Sequence, residues 1–361
     1  MASSFYKTFL CGVLCLLSYQ HVLGQHKLNK EIRETHTFTD ENKLYLENLY
    51  GNIFLTGWDK NTIEIVVNIE AEGKNEDKAQ KLLDRVKTDI TVTNAEVKII
   101  SKIEKKEGGL LGRYISKIDP FKNEKTTINY TIYLPKKATI EVYNKYGDIT
   151  ISGWNGNLKT VLEHGDLRIS DELKNANITV KHASLNVVEL HESFITSKDA
   201  SLEIYNGTNL KIDSDGSEMI LSNIKNLQLN SNKDNINIVK IDSISGNIKH
   251  SKTVFKTVGG KVKLDLNYGE LRILKHLQNE PNLEINQTEA EVYINISETA
   301  FNFKAKLEQG VLRIPKTMEN IESEIIDRKD KIRRISASYG AKNTGTITCT
   351  GYKGVIILKE L

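Results

Sequence analysis

The side chains best suited to metal chemistry stand in one column at nearly constant spacing. Tyr146, His164, His182 and Asp199 follow one another at intervals of about 18 residues, a period typical of short structural repeats. Two imidazoles and a carboxylate are accepted ligands for a divalent metal. If the repeats stack about 4.8 Å apart, however, His164 and Asp199 begin about 10 Å from each other, whereas zinc ligands must lie within about 2.2 Å of the ion. The column then continues with residues that are poor metal ligands: Gly216, Lys233 and Ser251.

We therefore interpret this column as solvated turn residues and predict no cofactor. A metal site at His164, His182 and Asp199 is the alternative. A second pair, Asp148 and Asp166, could bind calcium or act as an acid–base pair on a sugar. Serines follow in the same column, which favours polar turn chemistry. The sequence has no catalytic triad order, paired cysteine motif or phosphate-binding loop, so we predict no catalytic residues and no enzyme.

These residues belong to a repeat with the pattern small, polar, apolar, any, apolar. The first apolar positions recur at a nearly fixed interval along the chain: Ile149, Leu167, Leu185, Leu202, Met219, Ile236, Val254, Leu271, Val292 and Leu312. Apolar alternation with a period of two predicts strands, and a fixed repeat of this kind predicts a solenoid. We expect an all-β, single-chain parallel β-solenoid with about 17–18 residues per coil. The small residues suit a tight bend before each strand.

The second apolar position of each repeat is aliphatic except at Lys256, which marks a local slip. The outward position between the two apolar ones is mixed in charge, as expected for a solvated face. Ile220, Phe255 and Tyr293 are its exceptions. They form either a contact patch for a partner or a surface beneath a cap or loop.

A further strand is expected in each coil. Its inward positions recur with the same period as the rest of the repeat: Ile178, Ile195, Ile212 and Leu229. Leu264, Leu283 and Phe301 fit the pattern less regularly. A single coil cannot offset the entropy of ordering its own backbone, so neighbouring coils must share one core.

We divide the chain into a signal peptide (1–24), an N-terminal cap region (25–135), the β-solenoid (136–316) and C-terminal cap strands (317–361). Residues 25–42 are expected to be a flexible lead-in. Residues 75–88 are expected to contain a helix within a strand–helix–strand cap, because Ala79, Leu82, Leu83 and Val86 share one face. Residues 104–125 form a long charged insertion. Residues 317–335 permit a short helix.

The first 24 residues have the charge, apolar stretch and small-residue ending of a secretory signal, with cleavage between Gly24 and Gln25. The apolar stretch is too short to span a membrane, so we predict no stable membrane insertion. The alternative of a lipoprotein attached at Cys15 is less favoured, because Leu14 is too large. The formal charge of +3 argues against nucleic acid as a partner.

Removal of the signal leaves one cysteine, Cys349. It lies in a motif that occurs in three copies: Gly51-Asn-Ile-Phe-Leu-Thr-Gly-Trp58, Gly147-Asp-Ile-Thr-Ile-Ser-Gly-Trp154 and Gly345-Thr-Ile-Thr-Cys-Thr-Gly-Tyr352. Cys349 aligns there with Ile151 and Leu55, so we predict that it is buried and inert. A reactive thiol or a disulfide between chains is the alternative.

These three copies, the opening strand–helix–strand order and the units Gly165-Asp-Leu-Arg-Ile169 and Gly269-Glu-Leu-Arg-Ile273 resemble the bacterial "putative adhesin" β-solenoid family. The resemblance covers most of the mature chain. It implies an envelope or secreted protein without assigned chemistry, and it supplies no functional residues.

We predict an exported, non-catalytic, adhesin-like scaffold that binds at the cell envelope or surface. Its expected location is the periplasm, the cell surface or the extracellular medium. Its partner would be an envelope polymer, glycan or protein of unknown identity. The alternative is a polysaccharide-active lyase or hydrolase, which rests on fold analogy alone. A third option is an accessory protein in envelope stress signalling.

Overall fold

A computed structural model describes residues 26–104, 125–341 and 344–361. These residues contain 26 β-strands and one helix, α1 (Glu76–Asp84). The strands before the repeats are β1 (His26–Thr37), β2 (Lys43–Leu49), β3 (Ile53–Trp58), β4 (Thr62–Gly73), β5 (Val86–Val92), β6 (Glu96–Ile103) and β7 (Lys125–Pro135). The predicted signal peptide with its Gly24–Gln25 junction, and most of the charged insertion, lie outside the described residues.

The repeat region contributes β8 (Thr139–Lys145), β9 (Ile149–Ser152), β10 (Asn157–Glu163), β11 (Asp166–Lys181), β12 (Ser184–Lys198), β13 (Ser201–Asp215), β14 (Glu218–Asn232), β15 (Asn235–Lys249), β16 (Lys252–Val258), β17 (Lys261–Asn267), β18 (Glu270–Ile273), β19 (Asn282–Thr288), β20 (Glu291–Asn295), β21 (Phe301–Glu308) and β22 (Val311–Arg313). The C-terminal strands are β23 (Glu319–Asp327), β24 (Ile332–Tyr339), β25 (Gly345–Tyr352) and β26 (Val355–Lys359). The all-β prediction is confirmed.

The chain folds as two compact units. The described residues of unit one are 26–31, 68–87, 103–104 and 125–127. Its helix begins where Asn75 accepts a hydrogen bond from the backbone N–H of Lys78 at 2.9 Å, a typical N-cap. Ala79 and Leu82 are buried on one face of the helix. The predicted helix and the strand–helix–strand order around it are confirmed.

The described residues of unit two are 32–67, 88–102, 128–341 and 344–361. It is a stack of rungs, each with a first strand such as the one around Ile178, a bend, and a second strand such as the one around Val187. Ile169 pairs with Val187, and Val187 pairs with Ile204, all in parallel strands. The first strands pair in the same way, from Ile178 to Ile195 and onward. The aliphatic side chains of consecutive rungs therefore form one continuous core, as the repeat predicts.

Rungs stack in an order that differs from the chain order at both ends of the repeat region. β2 and β3 pair with β8 and β9 on one side and with β6 and β7 on the other. β25 and β26 lie between the rung of β19 and β20 and the rung of β21 and β22. Segments assigned to caps from the sequence thus each supply a complete rung within unit two.

The helix expected within residues 317–335 is wrong. β23 and β24 form an antiparallel hairpin instead, and β24 pairs with β21. Ile321 and Ile325 have helical spacing, but both are more than half exposed and share no core. The open edge of β21 needs backbone partners, and the hairpin supplies them. The flexible lead-in expected at residues 25–42 is also wrong, because β1 occupies most of it.

Cys349 is buried, and burial raises the pKa of its thiol to about 12. The prediction that Cys349 is buried is therefore confirmed, and the raised pKa supports the prediction of an inert thiol. Its column was misassigned, however, because Cys349 pairs with Ile285 and Ala305 in first strands, whereas Leu55 and Ile151 lie in second strands. Both strands of a rung alternate and end at a bend, so the motif alone does not distinguish them.

The slip marked by Lys256 has a simple cause. Ile236 pairs with Thr253, and Ile238 pairs with Phe255. The inward residues are therefore Thr253 and Phe255, and the sequence assignment of Val254 as inward and Phe255 as outward is wrong by one position. Phe255 is fully buried, and burial of its ring outweighs the polar character of Thr253 in setting the register.

The small residues before each second strand are required by close backbone approach. A Cβ atom on Gly147 would lie 2.1 Å from the carbonyl oxygen of Gly51, and one on Gly165 would lie 2.3 Å from that of Gly147. These contacts are between neighbouring rungs, so a side chain at either position would push the rungs apart. Gly310 occupies the same column but has room, with the nearest atom 3.4 Å away.

We predict that Gly147→Ala lowers the free energy of unfolding by roughly 1–3 kcal/mol, because backbone atoms must move to admit the methyl group. Gly310→Ala is the matched control and should cost less than about 1 kcal/mol. Urea unfolding of both variants measures the difference. Equal destabilisation by the two substitutions would contradict the close-approach explanation.

Candidate functional site

The bend of each rung is made by one residue with left-handed backbone geometry. Their φ angles lie between 48° and 70°. This bend column comprises Tyr50, Tyr146, His164, His182, Asp199, Gly216, Lys233, His250, Tyr268, Glu289, Lys353 and Gln309. Each backbone N–H donates to the next rung, as from His164 to Lys181 at 3.1 Å. The residue with positive φ therefore lies one position before the column of small residues. The sequence had indicated the bend at the small residues themselves.

The rings in the bend column stack face to face. Tyr50 and Tyr146 have ring centroids 5.1 Å apart, Tyr146 and His164 are 4.9 Å apart, and His164 and His182 are 5.1 Å apart. The planes of these rings are within 12° of parallel. This spacing follows the rung spacing, so ring stacking adds to the forces that hold the rungs in register.

His164, His182 and Asp199, the residues of the alternative metal site, lie in one column of the structure. Their lone pairs do not converge on one point. The imidazole planes of His164 and His182 are only 12° from parallel, and nitrogen lone pairs lie in the ring plane. They consequently point alongside each other instead of toward a common centre. His182 Nδ1 lies 3.7 Å from Asp199 Oδ2, which is an ion-pair distance. Within the described residues, no three acidic, histidine or cysteine side chains form a metal-binding group.

Asp148 and Asp166 are engaged in structural contacts. Asp148 Oδ1 accepts a hydrogen bond from the backbone N–H of Asp166 at 2.9 Å. Arg168 lies 3.4 Å from Asp148 Oδ2 and also contacts Asp166. Asp148 thus binds the backbone and the Arg168 guanidinium of the adjacent rung, and Asp166 binds the same guanidinium within its own strand. These contacts agree with the polar turn interpretation.

A buried carboxylate beneath the bend column was not recognised from the sequence. Asp234 is only 3% exposed. Its Oδ1 accepts hydrogen bonds from Ser214 Oγ at 3.0 Å and the Ser217 backbone at 2.7 Å. Its Oδ2 accepts one from Ser231 Oγ at 2.6 Å. Burial raises the pKa of Asp234 above its ordinary value of 3.8, although these hydrogen bonds oppose the rise.

Serines extend this buried network along the stack. Ser197 Oγ donates to Ser214 Oγ at 2.8 Å, and Ser231 Oγ lies 2.9 Å from Ser251 Oγ. A signal for it was present in the sequence, because serine recurs once per coil at Ser197, Ser214 and Ser231, where the alternation predicts an inward residue. Only the fold shows that Asp234 reaches these serines, because Asp234 aligns in the sequence with the small residues that precede each second strand.

The outward residues of the second strands do not form the patch considered from sequence. Phe255 is buried, whereas Ile220 is 50% exposed and Tyr293 is partly exposed. Tyr293 stacks with Arg272, whose guanidinium carbon lies 4.6 Å from the ring centroid. These side chains are separate features of a solvated face.

The outward side of the first strands carries ladders of carboxamides and carboxylates, which we call the amide face. Its members recur in register on consecutive rungs: Asn209, Asp213, Asp215, Asn226, Asn230, Asn232 and Asn247. Asn226 Nδ2 donates to Asn209 Oδ1 at 2.8 Å, and Asn230 Nδ2 donates to Asp213 Oδ1 at 2.7 Å. This face was not recognised from the sequence, because the outward positions considered there belong to the second strands only.

The ladders all run in one direction, and each uses one of the two N–H donors of a carboxamide. The other donor of each ladder carboxamide is left for solvent or a ligand. Neighbouring rungs lie about 4.8 Å apart. The amide face is thus a regular array of hydrogen-bond donors and acceptors that can match an extended polymer with repeated hydroxyl groups.

Charges on the same side of the first rungs compensate one another. Glu141 lies 2.6 Å from Lys43 and 2.7 Å from Lys159. Hydrogen bonds from Lys159, Lys43 and Tyr143 lower the pKa of Glu141 to about 2. This carboxylate stays ionised at neutral pH and is held by two ammonium groups, which favours a structural role over proton transfer.

Comparison with known proteins finds a matching family model and similar solved structures. The family model Toastrack DUF4097 matches residues 52–344. A "putative cell adhesion protein" from Clostridium sporogenes is similar at 11% identity, with 92% of this chain and 100% of that chain covered and a TM-score of 0.20. A "putative adhesin" from Bacteroides fragilis is similar at 10% identity, with 91% and 97% covered and a TM-score of 0.25. No curated protein matches the chain.

We predict a pH-dependent stability difference between the wild type and Asp234→Asn. Because burial raises the pKa of Asp234 in the fold, its stabilising contribution is full below the ordinary value of 3.8. That contribution is lost as pH rises through the folded-state pKa. The wild-type free energy of unfolding minus that of the variant should therefore fall from acidic to neutral pH. Urea unfolding at a series of pH values measures this difference, and a constant difference would contradict the prediction.

Proposed function

The chain belongs to the Toastrack DUF4097 family, and we propose that it is an exported, non-catalytic, adhesin-like scaffold that binds a polymer at the cell envelope or surface. The family match confirms the resemblance indicated by the three glycine-bounded motifs. It also agrees with the stacked parallel rungs of unit two.

The amide face is the observation that carries this proposal. Its carboxamides recur at the rung spacing, and successive rungs hold them by hydrogen bonds such as that from Asn226 to Asn209. A polymer laid along the stack would meet a ladder carboxamide or carboxylate on each of three successive rungs. Contacts that are weak singly become strong together when they are linked in one chain. Because ladder bonds already restrict these side chains, little further entropy is lost on binding.

The charge of the amide face favours a polyhydroxylated polymer over a nucleic acid. Asp213 and Asp215 lie within its ladders and accept hydrogen bonds from Asn230 and Asn232. Carboxylates accept hydrogen bonds from sugar hydroxyls but repel phosphates. The formal charge of +3 for the whole chain supports the same choice, since phosphate binding needs a concentrated basic surface.

The non-catalytic part of the proposal rests on how the acidic groups are used. Asp148, Asp166 and Glu141 each hold a basic partner, and Asp234 is buried among serines. Catalytic acid–base pairs require groups that meet around a bound substrate. The polysaccharide-active alternative has no observation in its favour among the described residues.

Export is proposed from the sequence of the first 24 residues, which lie outside the described residues. Among the residues that the structure describes, no helix has both the length and the apolar character needed to cross a membrane. An adhesin-like role requires the protein to meet its polymer outside the cytoplasm.

We expect Asn226→Ala with Asn230→Ala to weaken binding to insoluble envelope polysaccharide by about tenfold, equivalent to about 1.4 kcal/mol. Both substitutions remove ladder amides from the amide face. Co-sedimentation of the purified mature chain with the polysaccharide measures the affinity. Asn186→Ala with Asn223→Ala removes ladder amides elsewhere and should leave binding within about twofold of the wild type.

An equal loss of affinity in the two double variants would exclude the amide face as the binding surface. Failure of the wild type to sediment with any envelope polymer would refute the scaffold itself. Release of new sugar reducing ends in the same samples would refute the non-catalytic part.

We also predict that the exported protein begins at Gln25. Mass spectrometry of the amino terminus, on protein recovered from the envelope and the medium, measures the cleavage position. Gly24→Trp should block processing, because the site requires a small residue, whereas Gln25→Ala should be processed normally. Recovery of exported protein that retains residues 1–24 would refute the assignment.

A further inference from the structure

The amide face continues into a groove on the C-terminal rungs. Asn247 pairs with Asp265, and the same column runs on through Asn286, Thr350 and Lys306. A second column, two residues further along each strand, forms the other wall: Asn267, Thr288, Tyr352 and Glu308. These walls enclose a depression of about 400 Å³.

The floor of the groove is backbone. The residues between the two walls are Leu266, Gln287 and Gly351, and the strand alternation directs them inward. Leu266 and Gln287 are buried accordingly. A ligand in the groove therefore meets peptide groups below it and polar side chains on either side, without an apolar pocket to fill.

The walls offer both donors and acceptors, which is the requirement for binding hydroxyl groups. Asp265 Oδ1 accepts from Asn286 Nδ2 at 2.8 Å, which leaves its second oxygen and the other amide hydrogen for a ligand. Tyr352 contributes a ring and a hydroxyl to the opposite wall. A sugar hydroxyl both donates and accepts, so it can be satisfied by such a pair.

The groove is electrostatically polarised along one wall. Asp265 lies at one end, and Lys306 lies three rungs away, or about 14 Å. Lys306 stands directly opposite Arg334 of β24, and like charges in that position are destabilising. Arg334 pairs with Glu324 at 3.0 Å, whereas Lys306 has no ion pair with any residue that the structure describes. A ligand carboxylate beside Lys306 would relieve this repulsion.

We propose that this groove is a binding subsite for an acidic oligosaccharide. The sugar carboxylate contacts Lys306, and its neighbouring hydroxyl groups contact Asp265 and Asn286. The proposal rests on the proposed polymer-binding function and specifies its ligand class. Asp265 lies at the far end of the groove and Glu308 lies on the wall opposite Lys306, so these carboxylates disfavour a ligand that is anionic at every point, such as a polyphosphate. The site favours a chain with separate carboxylates.

The test is calorimetric titration of the mature chain with a short oligogalacturonate and with its carboxyl-reduced counterpart. The wild type should bind the acidic form about tenfold more tightly, which corresponds to about 1.4 kcal/mol. Lys306→Met should remove this preference, and Lys306→Arg should retain it. Lys304→Met is the matched control, since Lys304 is exposed on the same side of the same strand but is not a groove residue. It should behave as the wild type.

Equal affinity of the wild type for the two saccharides would overturn the proposal. An undiminished preference in Lys306→Met, or an equal loss in Lys304→Met, would also overturn it. Lys306→Met is expected to fold, because the substitution removes a like-charge contact. If this variant does not fold, Lys306→Arg still tests whether a cation at this position is needed for the preference. None of these outcomes bears on the amide face, whose variants are measured separately on insoluble polymer.

Discussion

The structure of unit two depends on in-register hydrogen bonding between parallel rungs. Every bend places a residue at positive φ, and these residues are almost all non-glycine, although that geometry is unfavourable for them. It persists because the bend N–H bonds to the next rung, as from Asp199 to Asp215 at 2.9 Å. A rung of different length would misplace both the bend and the inward side chains. The constraint therefore fixes the length of the repeat, the small column and the core together.

Register is satisfied by neighbours in space, whatever their order in the chain. This is why residues 43–58 and 345–359 form rungs between segments that are not their neighbours in sequence. An inserted rung pairs on both sides and buries its inward residues, including Cys349. The antiparallel hairpin of β23 and β24 covers the edge of β21, which would otherwise be exposed. Open parallel edges would otherwise be templates for association.

The same constraint explains why the surface forms arrays. Side chains in one column point the same way at a constant interval, so rings of His164 and His182 lie parallel and amides of Asn230 and Asn247 form a ladder. Donors that are parallel do not converge on a metal ion or a scissile bond. They do match a ligand that is itself periodic. Our proposals of a polymer ligand for the amide face and an acidic saccharide in its continuation are based on this geometry.

The sequence by itself determined the solenoid, its period, most of the inward aliphatic positions and helix α1, because these depend on alternation and capping that act locally. It did not determine that Gly345–Tyr352 begins a rung as a first strand, since both strands of a rung share one pattern. Nor did it determine that residues 319–339 form a hairpin, that Phe255 points inward or that Asp234 meets a row of serines. Those features depend on which backbone edge is available and which side chain fits the neighbouring rung. Such pairings join residues distant in the chain, and only the tertiary structure decides them.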